Sequence, residues 1–279
     1  MVTHALVLAA GLGTRLRPLT DVCAKPAIPV AGEPIIRRIV CWLAAHGVND
    51  LVVNLHHLPH TVTAVLGDGS DLAVRVRYSW EQPRILGSGG GPRRALEIIG
   101  GDTFVVVNGD TLTDLNLRAL CDAHGTHVAS GALVTLALVP ARQPHKYGGV
   151  SLRDDGAVTG FVPRGAAAGG ADRGLYHFIG VQVVQADAFR QIPPGEPASS
   201  IGGAYDGLIA ARAGSICGYV SDAAFWDIGT PEDLARTSAE FEEREGREGQ
   251  EGREGQERRE RREGLDGVAN KARGTREPS

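Results

Sequence analysis

The chain has 279 residues, 42% of them hydrophobic, and a formal net charge of −4 at pH 7. That size permits one or two domains around a buried core, and a small charge of interspersed sign excludes a general attraction to nucleic acid or to an anionic membrane. Cys23, Cys41, Cys121 and Cys217 are scattered without a Cys-x-x-Cys pair, which argues against a zinc site or a disulfide framework and for a reducing compartment.

The apolar run at residues 5–10, "ALVLAA", is too short for a membrane span and no basic segment precedes it, so the expected location is cytoplasmic. It reads instead as a buried strand ended by glycines. "GEPIIRRIVCWLAAHG" predicts a helix with Pro34 in its first turn and Gly47 as its stop, and "LVVNL" from Leu51 a second buried strand. Next come a helix at "HTVTAVLG", a strand at "LAVRVRYS", a helix at "GPRRALEIIG", and a strand running into a polar turn at "TFVVVNGDTLTD". The Asp154-Asp155 pair before Gly156 reads as the turn of a hairpin in "YGGVSLRDDGAVTGFV", and "YHFIGVQVV" is another strand. Past Phe241 apolar residues run out and "EGREGQ" occurs twice in succession. The expected organisation is therefore one domain over 1–244 and a charged low-complexity tail over 245–279, disordered or a frayed helix.

Strands alternating with helices imply a parallel sheet covered on both faces, which binds ligands beyond the carboxyl ends of its strands. Gly11 and Asp110 both fall there. In "LAAGLGTRLRPLTDVCAKP", residues 8–26, glycines after a buried strand let backbone N–H groups approach an anion, and phosphate is the natural guest. A dinucleotide fingerprint is excluded because Leu16 stands where a small residue is needed and Asn54 where an acid is needed. A P-loop is excluded because no lysine follows the last glycine. The lysines of the chain are Lys25, Lys146 and Lys271, all other bases being arginine. A compact ammonium suits a single phosphate oxygen, whereas the fork of Arg15 suits two. His56 and His60 have the spacing of a metal pair, but a strand-to-helix turn without a third ligand reads better as a solvated loop.

"LAAGLGTRLRPLT" followed by "KP" resembles the signature of the sugar-1-phosphate nucleotidyltransferases, the NDP-sugar pyrophosphorylases. The resemblance continues through "GDGSDLAVRVRYSWEQPRILGSGGG", "NGDTLTDLNL", "YGGVSLRDDGAVTGF" and "WDIGTPEDL" to about residue 240. It is strongest to mannose-1-phosphate guanylyltransferases, with N-acetylmuramate-1-phosphate uridylyltransferases near. The resemblance implies a Rossmann-like α/β fold, a mixed, mostly parallel sheet flanked by helices. It also implies attack of a sugar-1-phosphate on the α-phosphorus of a nucleoside triphosphate, best guess mannose-1-phosphate and GTP. A UTP- or dTTP-using enzyme and a non-catalytic sugar-nucleotide sensor are the alternatives, and homo-oligomerisation is left open.

Carried over by position, the resemblance implies nucleotide contacts from Ala10, Gly11, Gly13 and Thr14, and a base-reading region at Glu81, Gly87, Ser88 and Gly89. Arg15, Lys25 and Asp110 would be catalytic, Asp110 and Asp227 would hold Mg2+, and Gly149 and Arg164 would meet the sugar phosphate. Three departures stand out: Ala24 where proline is usual, "FVPRG" where a Glu-Lys-Pro is common, and the region of Phe178 where an asparagine is common. The last two bear on the sugar more than on the reaction.

Overall fold

A computed structural model describes residues 2–142, 148–163, 165 and 175–247. Its centre is a nine-stranded mixed sheet. The parallel part is built from β1 (His4–Leu8), β4 (Asp50–Leu55), β5 (Arg75–Trp80) and β6 (Thr103–Asn108), in the order β6-β1-β4-β5. Between β1 and β4 lie a short ribbon, β2 (Pro29–Val30) with β3 (Glu33–Pro34), and α1 (Ile35–Ala45). The crossovers through α1, α2 (Pro59–Leu66) and α3 (Gly87–Ile99) leave the carboxyl ends of β1, β4 and β6 side by side. This is the sheet edge where α/β folds place ligands.

After β6 the chain makes β7 (Thr111–Thr113), α4 (Leu117–Ala129) and β8 (Val134–Pro140). The hairpin β9 (Gly149–Leu152) and β10 (Val158–Val162) turns at Asp154-Asp155, with Gly156 N–H donating to the Arg153 carbonyl. The long strand β11 (Leu175–Gln185) runs antiparallel to β6, β8 and β9, joining the two halves of the sheet. Then come α5 (Asp187–Arg190), α6 (Tyr205–Ala211) and β12 (Ile216–Val220), which lies parallel to β8. Last are β13 (Phe225–Asp227), which pairs with β7 outside the main sheet, and α7 over residues 231–247.

Alternation along the strands splits the core into two layers. Val7, Val53 and Val107 face one layer with α1, α2 and α4, while Leu6, Val52 and Val106 face the other with α3, α5 and α6. Two elements extend beyond the sequence reading. Helix α3 starts at Gly87, four residues before the expected start at Gly91, and the N–H groups of Gly89 and Gly90 are taken up by the Ala198 carbonyl. A side chain at Gly90 would collide with the Glu196 carbonyl, so this glycine run serves close packing against residues 196–199. Helix α7 reaches residue 247, past the expected start of the tail, because Phe241 lies edge-on to Trp226 and under Arg38, and Glu245 pairs with Arg38. Among the described residues no helix is long and apolar enough to cross a membrane.

Candidate functional site

An open cavity of about 210 Å³ lies beyond the carboxyl ends of β1, β4 and β6, lined among others by Ala10, Gly11, Lys25, Gly87, Ser88 and Asp110. A Cβ at Gly11 would meet nothing within 4 Å, so the fold itself does not demand glycine there and the backbone faces open space. Gly13 is different. Its φ of +62° favours glycine, and a Cβ would come within 2.8 Å of Thr20. Its carbonyl accepts from Thr20 Oγ1 and Leu16 N–H, closing the loop into the turn begun by Thr14.

Lys25 opens a further short helical turn, Lys25–Ala27, and is buried. Its Nζ lies 2.5 Å from Asp110 Oδ2, and Asp110 sits just past the end of β6. Asp227 closes β13, which pairs residue for residue with β7, and the next N–H, of Ile228, donates to the Asp110 carbonyl at 3.2 Å. Burial raises the Asp227 carboxyl above its ordinary range, the Asp110 charge adds to this, and Lys25 and Arg15 oppose it. The exposed Arg15 guanidinium rests over Gly229, where a Cβ would come within 3.0 Å of it. Two acids and two bases thus stand within electrostatic reach of one another, and of these Lys25 and Asp110 line the cavity.

A divalent cation fits this arrangement. The Asp110 charge raises the cost of ionising Asp227, which a cation between them would remove. Among the described residues no cluster of three or more His, Cys, Asp and Glu is arranged to hold a metal. Two carboxylates completed by water and phosphate oxygens are the coordination Mg2+ accepts.

Two residues expected to read the base lie behind the cavity wall. Glu81 is fully buried, and its oxygens accept from Asn54 Nδ2 and from Leu86 N–H, each at 2.6 Å. Gly89 is buried with its N–H on the Ala198 carbonyl. Only Gly87 and Ser88 of that group reach the cavity, and Ser88 Oγ accepts from Ser200 N–H and Ser200 Oγ. Gly149 is buried at the start of β9, where a Cβ would lie 3.2 Å from Leu175, so its small size is already explained by packing. Arg164 lies outside the described residues.

The histidines after β4 are braces. His56 Nδ1 donates to the Glu81 carbonyl and His57 Nε2 to the Thr20 carbonyl, each at 2.7 Å, so neighbouring residues tie this turn to two separate segments of the chain. Only their place, directly after a strand whose end lines the cleft, could have marked them in the sequence. Trp226 was also missed as a partner of α7. Its Nε1 donates to Glu240 at 2.6 Å, and Arg244 stacks on its ring at 4.8 Å.

An open α/β sheet with a glycine loop, a buried lysine and paired carboxylates at its carboxyl edge is an arrangement whose chemistry suits phosphorylated ligands. Residues 4–244 match the nucleotidyl transferase family model, and the chain belongs to that family. It is 35% identical over 246 residues to a mannose-1-phosphate guanylyltransferase of Mycobacterium tuberculosis, covering 86% of this chain and 66% of that one. It is 44% identical over 115 residues to an N-acetylmuramate alpha-1-phosphate uridylyltransferase of Neisseria meningitidis, covering 41% of this chain and 50% of that one. The chain thus spans between half and two thirds of the length of these relatives. The crystal structure of HddC from Yersinia pseudotuberculosis superposes with a TM-score of 0.70 at 23% identity, covering 85% of this chain and 98% of that one, which establishes the shared fold.

Proposed function

We propose that the protein joins a nucleoside triphosphate to a sugar-1-phosphate, releasing pyrophosphate and forming an NDP-sugar. The observation that carries this reading is the Lys25–Asp110 pair at 2.5 Å, set beside Asp227 at the mouth of the glycine loop. Family membership and the names of the relatives support it.

The sugar phosphate is the nucleophile and is already ionised at neutral pH, so no general base is required. The obstacle is the approach of two anions. Lys25, whose stem is buried and whose ammonium is held at the cavity, supplies fixed positive charge where the bridging oxygens gain negative charge. Arg15 holds the departing phosphates with its planar fork. The N–H groups around Ala10 and Gly11 orient the triphosphate, and such positioning supplies up to about 7–11 kcal/mol of barrier reduction in favourable cases. Asp110 and Asp227 would hold Mg2+, which when bound neutralises phosphate charge and fixes the line of attack.

GTP with mannose-1-phosphate is the preferred pair in this reading, resting on similarity to the guanylyltransferase. UTP with an amino-sugar phosphate is the second, favoured by the higher identity over the shorter match. Pyrophosphate release measured over a panel of triphosphates and sugar phosphates tests both. Release with one pair supports the enzyme, and product binding without release supports a sensor instead.

A further inference from the structure

The carboxyl end of β1 and the loop entering α3 form two walls of the cavity, and a buried chain of hydrogen bonds ties them together. Ala9 N–H donates to Asn54 Oδ1, Asn54 Nδ2 donates to Glu81 Oε1, and Leu86 N–H donates to Glu81 Oε2, each at 2.6 Å. Ala9 directly precedes the lining residues Ala10 and Gly11, and Leu86 directly precedes Gly87 and Ser88. Asn54 is 2% exposed and Glu81 0%.

The direction of this chain is fixed at both ends. A backbone N–H can only donate, so the Asn54 oxygen must face Ala9 and its NH2 must face Glu81. Glu81 then meets donors on both sides, so each of its oxygens accepts one hydrogen bond. Burial dominates and leaves its carboxyl above the ordinary range, against the downward pull of Leu86 N–H, Asn54, His56 and Arg94. The main chain at Glu81 is held as well, its N–H on the Leu55 carbonyl and its carbonyl accepting from His56. Helix α3 passes over the pair at Gly91, where any side chain would collide with Glu81 Oε1.

We propose that Asn54 and Glu81 are positioning residues which set the spacing of the two cavity walls and so the fit of the nucleotide, without Glu81 touching it. The inference rests on the reading of this cavity as a nucleoside-triphosphate site. In this view, ligand affinity depends on the bond directions across residues 9, 54, 81 and 86 and not merely on a filled core.

The polarity argument supplies its own rescue. In Glu81→Gln two donors face each other whichever way the new amide turns. In Asn54→Asp two carboxylates meet. In the double variant N54D/E81Q the introduced aspartate accepts from Ala9 N–H and from the introduced amide, whose oxygen accepts from Leu86 N–H. All three bonds and the net charge are kept. GTP and UTP affinities with Mg2+, by calorimetry, and KM against kcat are measured for the four proteins, with melting temperature as the fold control. The expected result for E81Q is a roughly tenfold or greater loss in affinity for the preferred triphosphate, the scale of an unsatisfied buried polar group, with kcat at saturation changed far less. N54D/E81Q returns affinity to near wild type.

A melting temperature that falls in E81Q while triphosphate affinity and KM stay unchanged overturns the proposal, leaving the pair a core brace. So does a double variant no better than the two singles combined. If E81Q does not fold, the double variant decides alone, with near wild-type affinity in support and a roughly tenfold loss against. Wild-type protein that binds neither triphosphate overturns the functional reading itself, and the inference with it.

Discussion

Replacing Lys25 by alanine should move two quantities in opposite directions. The ammonium lies 2.5 Å from Asp110 Oδ2, with the lysine side chain 10% and the aspartate 32% exposed. It therefore competes with any cation for that carboxylate. A hydrogen bond to a charged group contributes about 1.5–3 kcal/mol, and water reaching Asp110 in the variant offsets part of this. Affinity for Mn2+, a spectroscopic stand-in for Mg2+, should thus rise by about tenfold at neutral pH. Turnover should fall by about 10²–10³, the usual cost of removing one donor to developing oxyanion charge.

The pH dependence shifts as well. Lys25 holds the Asp227 carboxyl down, so its removal raises that pKa further and the carboxylate is protonated over a wider acid range. Cation binding should then be lost at a higher pH as the solution is acidified. Lys25→Arg should recover little turnover, because the guanidinium is bulkier and spreads its charge. Electron paramagnetic resonance of Mn2+ and a coupled pyrophosphate assay, with circular dichroism as fold control, measure these effects. Parallel loss of Mn2+ affinity and turnover in K25A would refute the reasoning and make Lys25 a strut for the acid pair. Wild-type turnover in K25R would refute the assignment of charge.

Deleting 248–279 should leave melting temperature and turnover unchanged, whereas deleting 240–279 removes the Trp226–Glu240 bond and the Phe241 and Arg244 contacts and should cost about 2–3 kcal/mol of stability by denaturant titration. Asp110→Asn and Asp227→Asn should each abolish Mg2+-dependent turnover, with the double variant little worse than either; losses that multiply would separate the two acids into independent roles. His124 is buried between Thr135 and Gln185 and held to about 4 by burial first and His127 second. The unfolded chain binds its proton at about 6.5, so this residue costs no stability above that pH and removes up to about 3 kcal/mol as pH falls from 6.5 to 4. Denaturant titration across that range should lose much of its slope in His124→Gln. Gly90→Ala should destabilise by about 1–3 kcal/mol despite alanine's better helix propensity, since the methyl would meet the Glu196 carbonyl.

The parallel half of the fold was legible because its inner strands are short apolar runs between glycines or turns, as in "ALVLAA" and "TFVVVNGD", and its edge strand β5 alternates apolar with polar residues. The residues in and beside the cavity were legible for a similar reason. Gly11, Lys25, Asp110 and Asp227 each stand next to a strand or turn signal, where a charge is hard to explain as packing. Glu81 and Gly89 were not separable from them, since the same short segment holds both the wall and its support. Which side of a backbone faces the ligand depends on Ala198, more than a hundred residues away. The docking of α7 was not legible because its docking residues are few. Phe241 and two arginines suffice once Trp226 is in place, and charge-rich sequence conceals them.

Asp110 and Asp227 are far apart along the chain, yet β13 pairs with β7, the strand that begins at the residue after Asp110. Ile228 N–H donates to the carbonyl of Asp110 itself. Both acids are therefore mounted on one backbone framework. The conformational entropy of bringing them together is surrendered during folding and is not charged against cation capture. Cation affinity should accordingly follow the phosphates of the nucleotide, and be indifferent to whether the sugar has arrived.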